Sequence, residues 1–135
     1  DVWNAEIFYP PYLFTKDYEN KTVLAKRPVI KKLDKNIKRG SVVNLKVEGN
    51  VSKISLISTG SVTHANGSES KFRDIEFSNI SKDNFEFKID PNPNNIQNGT
   101  YLLFVLNSKG VPSEGKLVFV NWKINLILKL LIIKL

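Results

Sequence analysis

Short runs in which apolar and polar residues alternate, separated by turn-forming clusters, occupy most of this chain and confine it to a β architecture. Val43, Leu45 and Val47 alternate with Asn44 and Lys46, a two-residue period that places the apolar side chains on one face of a half-buried strand. The run from Lys53 to Ser58 reads the same way, with Ile54 and Leu56 inward, and Glu48-Gly49-Asn50 between them is a tight turn. Ile75 and Phe77 alternate with Asp74, Glu76 and Ser78, and Phe85, Phe87 and Ile89 with Glu86 and Lys88. Ser81-Lys82-Asp83-Asn84 supplies the polar turn between those two strands. Residues 101–106 form an unbroken apolar run, the pattern of a central strand covered on both faces. Asn107-Ser108-Lys109-Gly110 ends that run, and residues 117–120 read as a last strand. Pro10-Pro11 and Pro91-Asn92-Pro93 do not suit helix interiors and mark extended connections. About seven short strands with turns every ~8–12 residues predict an all-β sandwich of antiparallel strands.

The chain has 135 residues, of which 41% are hydrophobic, enough for one domain with a single core. Its formal charge of +7 raises the question of nucleic acid. The lysines are scattered, however, apart from a modest cluster at Lys31, Lys32, Lys35, Lys38 and Arg39, and no nucleic-acid-binding motif accompanies them. The reading is a solvated basic face, with no nucleic-acid partner. The absence of cysteine excludes disulfides, thiolate metal sites and thiol catalysis within the chain. No paired carboxylates, Ser/His/Asp set or glycine-rich phosphate loop is evident.

The sequence starts at Asp1 without a methionine or a visible signal peptide, as expected of a fragment whose upstream part is missing. Asn-x-Ser/Thr sequons stand at Asn20, Asn50, Asn66, Asn79 and Asn98, which points to a secreted, extracellular eukaryotic protein. Domain organisation is read as a sandwich over residues 1–121 and an apolar Lys/Ile/Leu tail over residues 122–135. From Lys123 onward that tail uses only Lys, Ile, Asn and Leu. It is too short to span a bilayer, so no membrane partner is expected. An edge strand, an amphipathic tail and out-of-frame sequence all fit its composition, and the restricted alphabet favours the last.

Four segments then carry a resemblance. They are residues 6–14 (Glu-Ile-Phe-Tyr-Pro-Pro-Tyr-Leu-Phe) followed by Arg27-Pro28, residues 54–64 ending in Thr63-His64, residues 99–107 (Gly-Thr-Tyr-Leu-Leu-Phe-Val-Leu-Asn), and Gly110-Val111-Pro112-Ser113. In this order and spacing they resemble the C-terminal domain of the galactose oxidase and glyoxal oxidase family of copper radical oxidases, over residues 5–120. The resemblance implies an immunoglobulin-like sandwich of the early-set type, in agreement with the strand pattern. It implies that the Thr-His loop reaches a copper ion held by an N-terminal Kelch propeller of the same parent protein. His64 would be one copper ligand, and two tyrosines and a second histidine would come from the propeller. One of those tyrosines, cross-linked to a cysteine, would hold the radical. The intact enzyme would oxidise a primary alcohol or an aldehyde with O2 and release H2O2. A neutral imidazole suits a tetragonal Cu(II) site of mixed nitrogen and oxygen ligands.

His64 is the sole histidine of the chain, and by residue type alone it reads as a surface side chain. The pattern also departs from the family at two places. Where members carry Gln-Arg after the Thr-His loop, this chain has Ser70 and Lys71, and Lys lacks the planar bidentate fork of Arg. Where members carry Pro-Pro before the third segment, Gln97-Asn98 stand. Tyr101 falls in a buried strand pattern with no cysteine to cross-link, so it is not the radical residue. Phe8, Tyr9, Tyr12 and Phe14 suggest packing into a core or a domain interface. A sugar-stacking platform is the lesser alternative for them, and it leaves a second functional class open: a non-catalytic accessory module for domain packing or carbohydrate binding.

Overall fold

The computed structural model describes residues 6–59 and 72–121. They form two packed sheets and a separate hairpin. The hairpin pairs β1 (Phe14–Lys16) with β2 (Thr22–Leu24) after a 3-10 turn at Pro11–Leu13. A four-stranded sheet runs β3-β5-β9-β8, from β3 (Val29–Leu33), β5 (Val42–Glu48), β8 (Phe77–Ser81) and β9 (Asn84–Lys88). A five-stranded sheet runs β4-β11-β10-β6-β7, from β4 (Asn36–Ile37), β6 (Lys53–Ser58), β7 (Phe72–Ile75), β10 (Gly99–Leu106) and β11 (Lys116–Val120). Pairing is antiparallel except between β11 and β4, which run parallel. The all-β, immunoglobulin-like sandwich expected from the sequence is present.

Alternation drives both inner faces together. Val43, Leu45 and Val47 of β5 and Phe85 and Phe87 of β9 meet Ile54 and Leu56 of β6, Leu103 and Val105 of β10, and Val118 and Val120 of β11 in one buried cluster. A fully buried side chain such as Leu103 contributes about 1.5–3 kcal/mol relative to its exposed state. The turns fall where the sequence predicts them. Gly49 (φ 109°) closes β5 towards β6, and a side chain there would meet the backbone of Pro28 at 3.4 Å. Asp83 (φ 66°) closes the β8–β9 hairpin, a left-handed position that Asp tolerates better than most residues.

Three expectations change in detail. Ile75 and Phe77 do not share a strand. The chain switches sheets at Glu76, so Ile75 ends β7 in one sheet and Phe77 begins β8 in the other. The run at 101–106 is central, between β11 and β6, but only Tyr101, Leu103 and Val105 are buried. Leu102, Phe104 and Leu106 are half-buried on the outer face. There Leu117, Leu102, Ile57 and Phe72 form one apolar row across four strands. Finally, β3 and β4 lie under the basic cluster. Edge strands carry charge to discourage pairing with other chains, and Lys31, Lys32 and Lys35 conceal strand signals behind that charge. The sandwich sheets accordingly contain more strands than the about seven expected.

Candidate functional site

The Thr-His segment is borne by the connection between β6 and β7. His64, Thr63, Ser70 and Lys71 all lie outside the described residues. The stems of this connection are described. Ile57 pairs with Phe72, and Thr59 is pinned to the start of β10: its backbone N–H and its hydroxyl both donate to the Thr100 carbonyl oxygen, at 3.1 and 2.9 Å. The connection therefore leaves and re-enters the sheet at one fixed end, where β10 begins and β11 finishes.

The same end is braced by Arg39. Its guanidinium donates to Asn98 Oδ1 at 2.9 Å through Nε and 2.8 Å through Nη2. It also donates to the Asp90 carbonyl oxygen at 3.1 Å and to that of Ile96. A planar fork with several donors holds a loop in this way where an ammonium would not. Arg39 thus ties residues 90–98 to the β4–β5 corner, and it departs from the rest of the basic cluster read as a solvated face. Gln97 and Asn98, the positions where family members carry Pro-Pro, belong to this bracing. Asn98 supplies the acceptor for Arg39, and the Gln97 carbonyl accepts the Tyr101 hydroxyl at 2.6 Å. Tyr101 is only 7% exposed. Burial pushes its phenol above the ordinary range, and the positive charges of Arg39 and Arg73 offset part of that rise. Asp90 is held below the usual carboxylate range by the Asn92 backbone N–H, then by the Asn95 amide, with Arg39 adding a smaller effect.

Among the described residues no group of three or more His, Cys, Asp or Glu side chains converges as a metal site requires. Among the described residues, too, no helix is long and apolar enough to cross a membrane.

The aromatic residues lie at the opposite end. Phe8, Tyr9, Tyr12 and Phe14 are all exposed, Tyr12 to 59%, so they do not pack into this domain's own core. Tyr9 and Phe14 meet edge-to-face with centroids 6.5 Å apart. Tyr12 and Phe14, with Lys26, Asn50 and Lys109, line an open cleft of about 570 Å³. That cleft adjoins the end of β10, a full strand length from Thr59.

Two flagged segments meet although they are far apart in sequence. Arg27 donates to the carbonyl oxygens of Pro112 and Ser113, so Arg27-Pro28 and Gly110-Val111-Pro112-Ser113 form one structural unit. Sequence reasoning gave neither this clamp nor the Arg39 brace. The motif order could signal the first. The second has no local signal, since Arg39 sits in a run of lysines.

The family model for the galactose oxidase-like, early set domain matches residues 27–120. The chain belongs to the galactose oxidase-like early set family. Two galactose oxidases of Gibberella zeae are each 29% identical over 120 residues, covering 88% of this chain. The chain spans only 17% of the length of those relatives. A fungal alcohol oxidase of the AA5 family, solved in complex with copper, superposes with a TM-score of 0.68 at 24% identity. The match covers 82% of this chain and 23% of that one. That likeness confirms the fold of the early set domain.

Proposed function

We propose that this early set domain is the C-terminal domain of a copper radical oxidase of the galactose or glyoxal oxidase type, and that it supplies one copper ligand, His64. The observation that carries this reading is the family match over residues 27–120, together with the 29% identity to galactose oxidases. When bound in the intact enzyme, copper and the cross-linked tyrosyl radical would each take one of the two electrons of a primary alcohol or aldehyde, and O2 would be reduced to H2O2. The remaining ligands and the radical residue belong to an N-terminal Kelch propeller of the parent protein. The role left to this chain is to present an imidazole from a fixed support, and the Thr59–Thr100 bonds and the Arg39 brace suit that role. The outer row of Leu117, Leu102, Ile57 and Phe72 suits packing against such a propeller. The working location is extracellular.

The test is His64→Ala in the full-length parent protein. The expected result is loss of bound copper and of H2O2 release, with the sandwich still folded by circular dichroism. Unchanged copper content and turnover in that variant overturn the reading.

A second reading is favoured by the exposed aromatics alone. In it, the domain is a non-catalytic module that contacts polysaccharide through Tyr12 and Phe14. Retention of the chain by an insoluble glucan, lost in Tyr12→Ala, would support that role. Unchanged copper content and turnover in the His64→Ala variant would favour this reading over the first.

A further inference from the structure

Among the described residues the sandwich has four edge strands, and three of them are blunted by charge or by very short length. β3 contains Lys31 and Lys32 with a register shift between Ile30 and Lys32. β7 contains Arg73 and Asp74. β4 is two residues long. Short length, charge and bulges are the devices that blunt an open sheet edge.

The fourth edge differs. β8 ends the four-stranded sheet and reads Phe77-Ser78-Asn79-Ile80-Ser81. It is uncharged, and Ile80 is 57% exposed. A register shift between Asn79 and Ser81 interrupts its pairing with β9. Asn79-Ile80-Ser81 is also a sequon. The structure sorts the sequons by what their amides are doing. Asn50 Oδ1 accepts from the Ser108 backbone at 3.0 Å, and Asn98 Oδ1 accepts from Arg39. Asn66 lies outside the described residues. The side chains of Asn20 and Asn79 are exposed and make no hydrogen bond among the described residues. Asn20 sits at the turn of the β1–β2 hairpin (φ 61°), and among the described residues only Asn79 lies on an edge strand that has neither charge nor very short length to blunt it.

We infer that Asn79 is an N-glycosylation site whose glycan covers the open β8 edge and keeps the domain from edge-to-edge association. This rests on the extracellular reading above, because the donor is met in the secretory pathway. In the modification, Asn79 Nδ2 attacks C1 of an oligosaccharide carried on a polyprenyl pyrophosphate. The N–C1 bond forms, the C1–O bond to the pyrophosphate breaks, the amide gives up one proton, and the lipid pyrophosphate leaves. A bulky hydrophilic chain at this position does sterically what Lys31 and Lys32 do electrostatically on β3.

The experiment expresses the whole 135-residue chain in yeast behind a heterologous secretion leader, so the result does not depend on how the native protein is exported. Trypsin releases residues 74–82 as a peptide with Asn79 as its one sequon. Enzymatic glycan removal in heavy-oxygen water should convert Asn79 to labelled Asp. Asn79→Gln should lose that mark and shift protein from the monomer peak to aggregates on size exclusion. Asn79→Lys should restore the monomer without a glycan, and Asn20→Gln should leave the monomer fraction unchanged. An unmodified 74–82 peptide beside a modified Asn20 overturns the site. An Asn79→Gln chain as monomeric as the parent overturns its role. Failure of the native parent to be exported under its own leader is a separate result, which bears on the extracellular reading alone.

Discussion

Arg27 and Ser113 are bound across 86 residues of sequence: the Arg27 guanidinium donates to the Ser113 carbonyl oxygen at 2.8 Å and to the Pro112 carbonyl oxygen at 2.7 Å. This clamp ties the segment entering the sandwich to the segment between β10 and β11. Charge-assisted, paired hydrogen bonds of this type are stronger than single neutral ones. Arg27→Ala should therefore lower stability by about 1.5–3 kcal/mol in denaturant unfolding. Arg27→Lys should recover less than half of that, because a lysine cannot donate in a planar fork. Equal stability of all three chains would show that the clamp is dispensable.

Ser113 serves a second purpose. Its side chain is fully buried, where the hydroxyl accepts from the Val105 N–H at 3.0 Å and donates to the Glu114 carbonyl at 3.0 Å. Ser113→Ala leaves the Val105 N–H without that partner inside the sheet. The expected cost is about 1–3 kcal/mol, read as a lower thermal midpoint.

Gly115 packs under the ring of Phe104, and a methyl group there would lie 2.7 Å from Phe104 Cζ. Gly115→Ala should destabilise by about 1 kcal/mol through overpacking. Phe104→Leu in the same chain should remove most of the penalty. A double-mutant cycle measures this coupling directly, and additive effects would place the cause outside the Phe104–Gly115 contact.

The Asp90 carboxyl titrates below its ordinary range because the Asn92 backbone N–H, the Asn95 amide and, less strongly, Arg39 favour its charged form. The folded chain therefore releases this proton more readily than the unfolded chain does. The stability so gained is fully present above about pH 4 and is lost as pH falls through the lower, folded value. Asp90→Asn should lower the thermal midpoint slightly at neutral pH and leave it nearly unchanged in strong acid, which flattens the acid limb. An unaltered acid limb would assign acid sensitivity to other carboxylates, Glu48 among them. Glu48 is likewise lowered, first by its hydrogen bond from Lys31 and then by that residue's charge.

The purified 135-residue chain, supplied with copper, is expected to show no alcohol or aldehyde oxidation, because it brings one histidine and no cysteine to the chemistry. Hydrogen peroxide release above a metal-only blank would contradict the shared-site reading.

Much of the fold was legible in single strands. The alternation at 43–47 and 85–89 named the buried residues correctly, since side-chain period alone decides which face a residue joins. It failed at Ile75–Phe77, where one unbroken alternation spans two strands in different sheets. A change of sheet at Glu76 leaves the period intact and so leaves no mark in the sequence. It also missed β3 and β4, where edge positions admit the lysines that a central strand would exclude. At the candidate site, the motif order alone pointed to His64. The bracing of that end by Arg39, Asn98 and Thr59 was hidden, because each residue type is equally at home on a solvated surface.

The amino-acid sequence by itself determined that this chain is a β-sandwich of the galactose oxidase-like early set family. Period, turn residues and motif order are local properties that survive without coordinates. Tertiary structure alone decided which distant segments touch. It joined Arg27 to Ser113 and Arg39 to Asn98, moved the aromatic residues 8–14 out of the core, and left β8 as an uncharged edge among the described strands. Hydrogen-bond partners and sheet edges are fixed by the packing of segments far apart in the chain, and one-dimensional pattern carries no record of that packing.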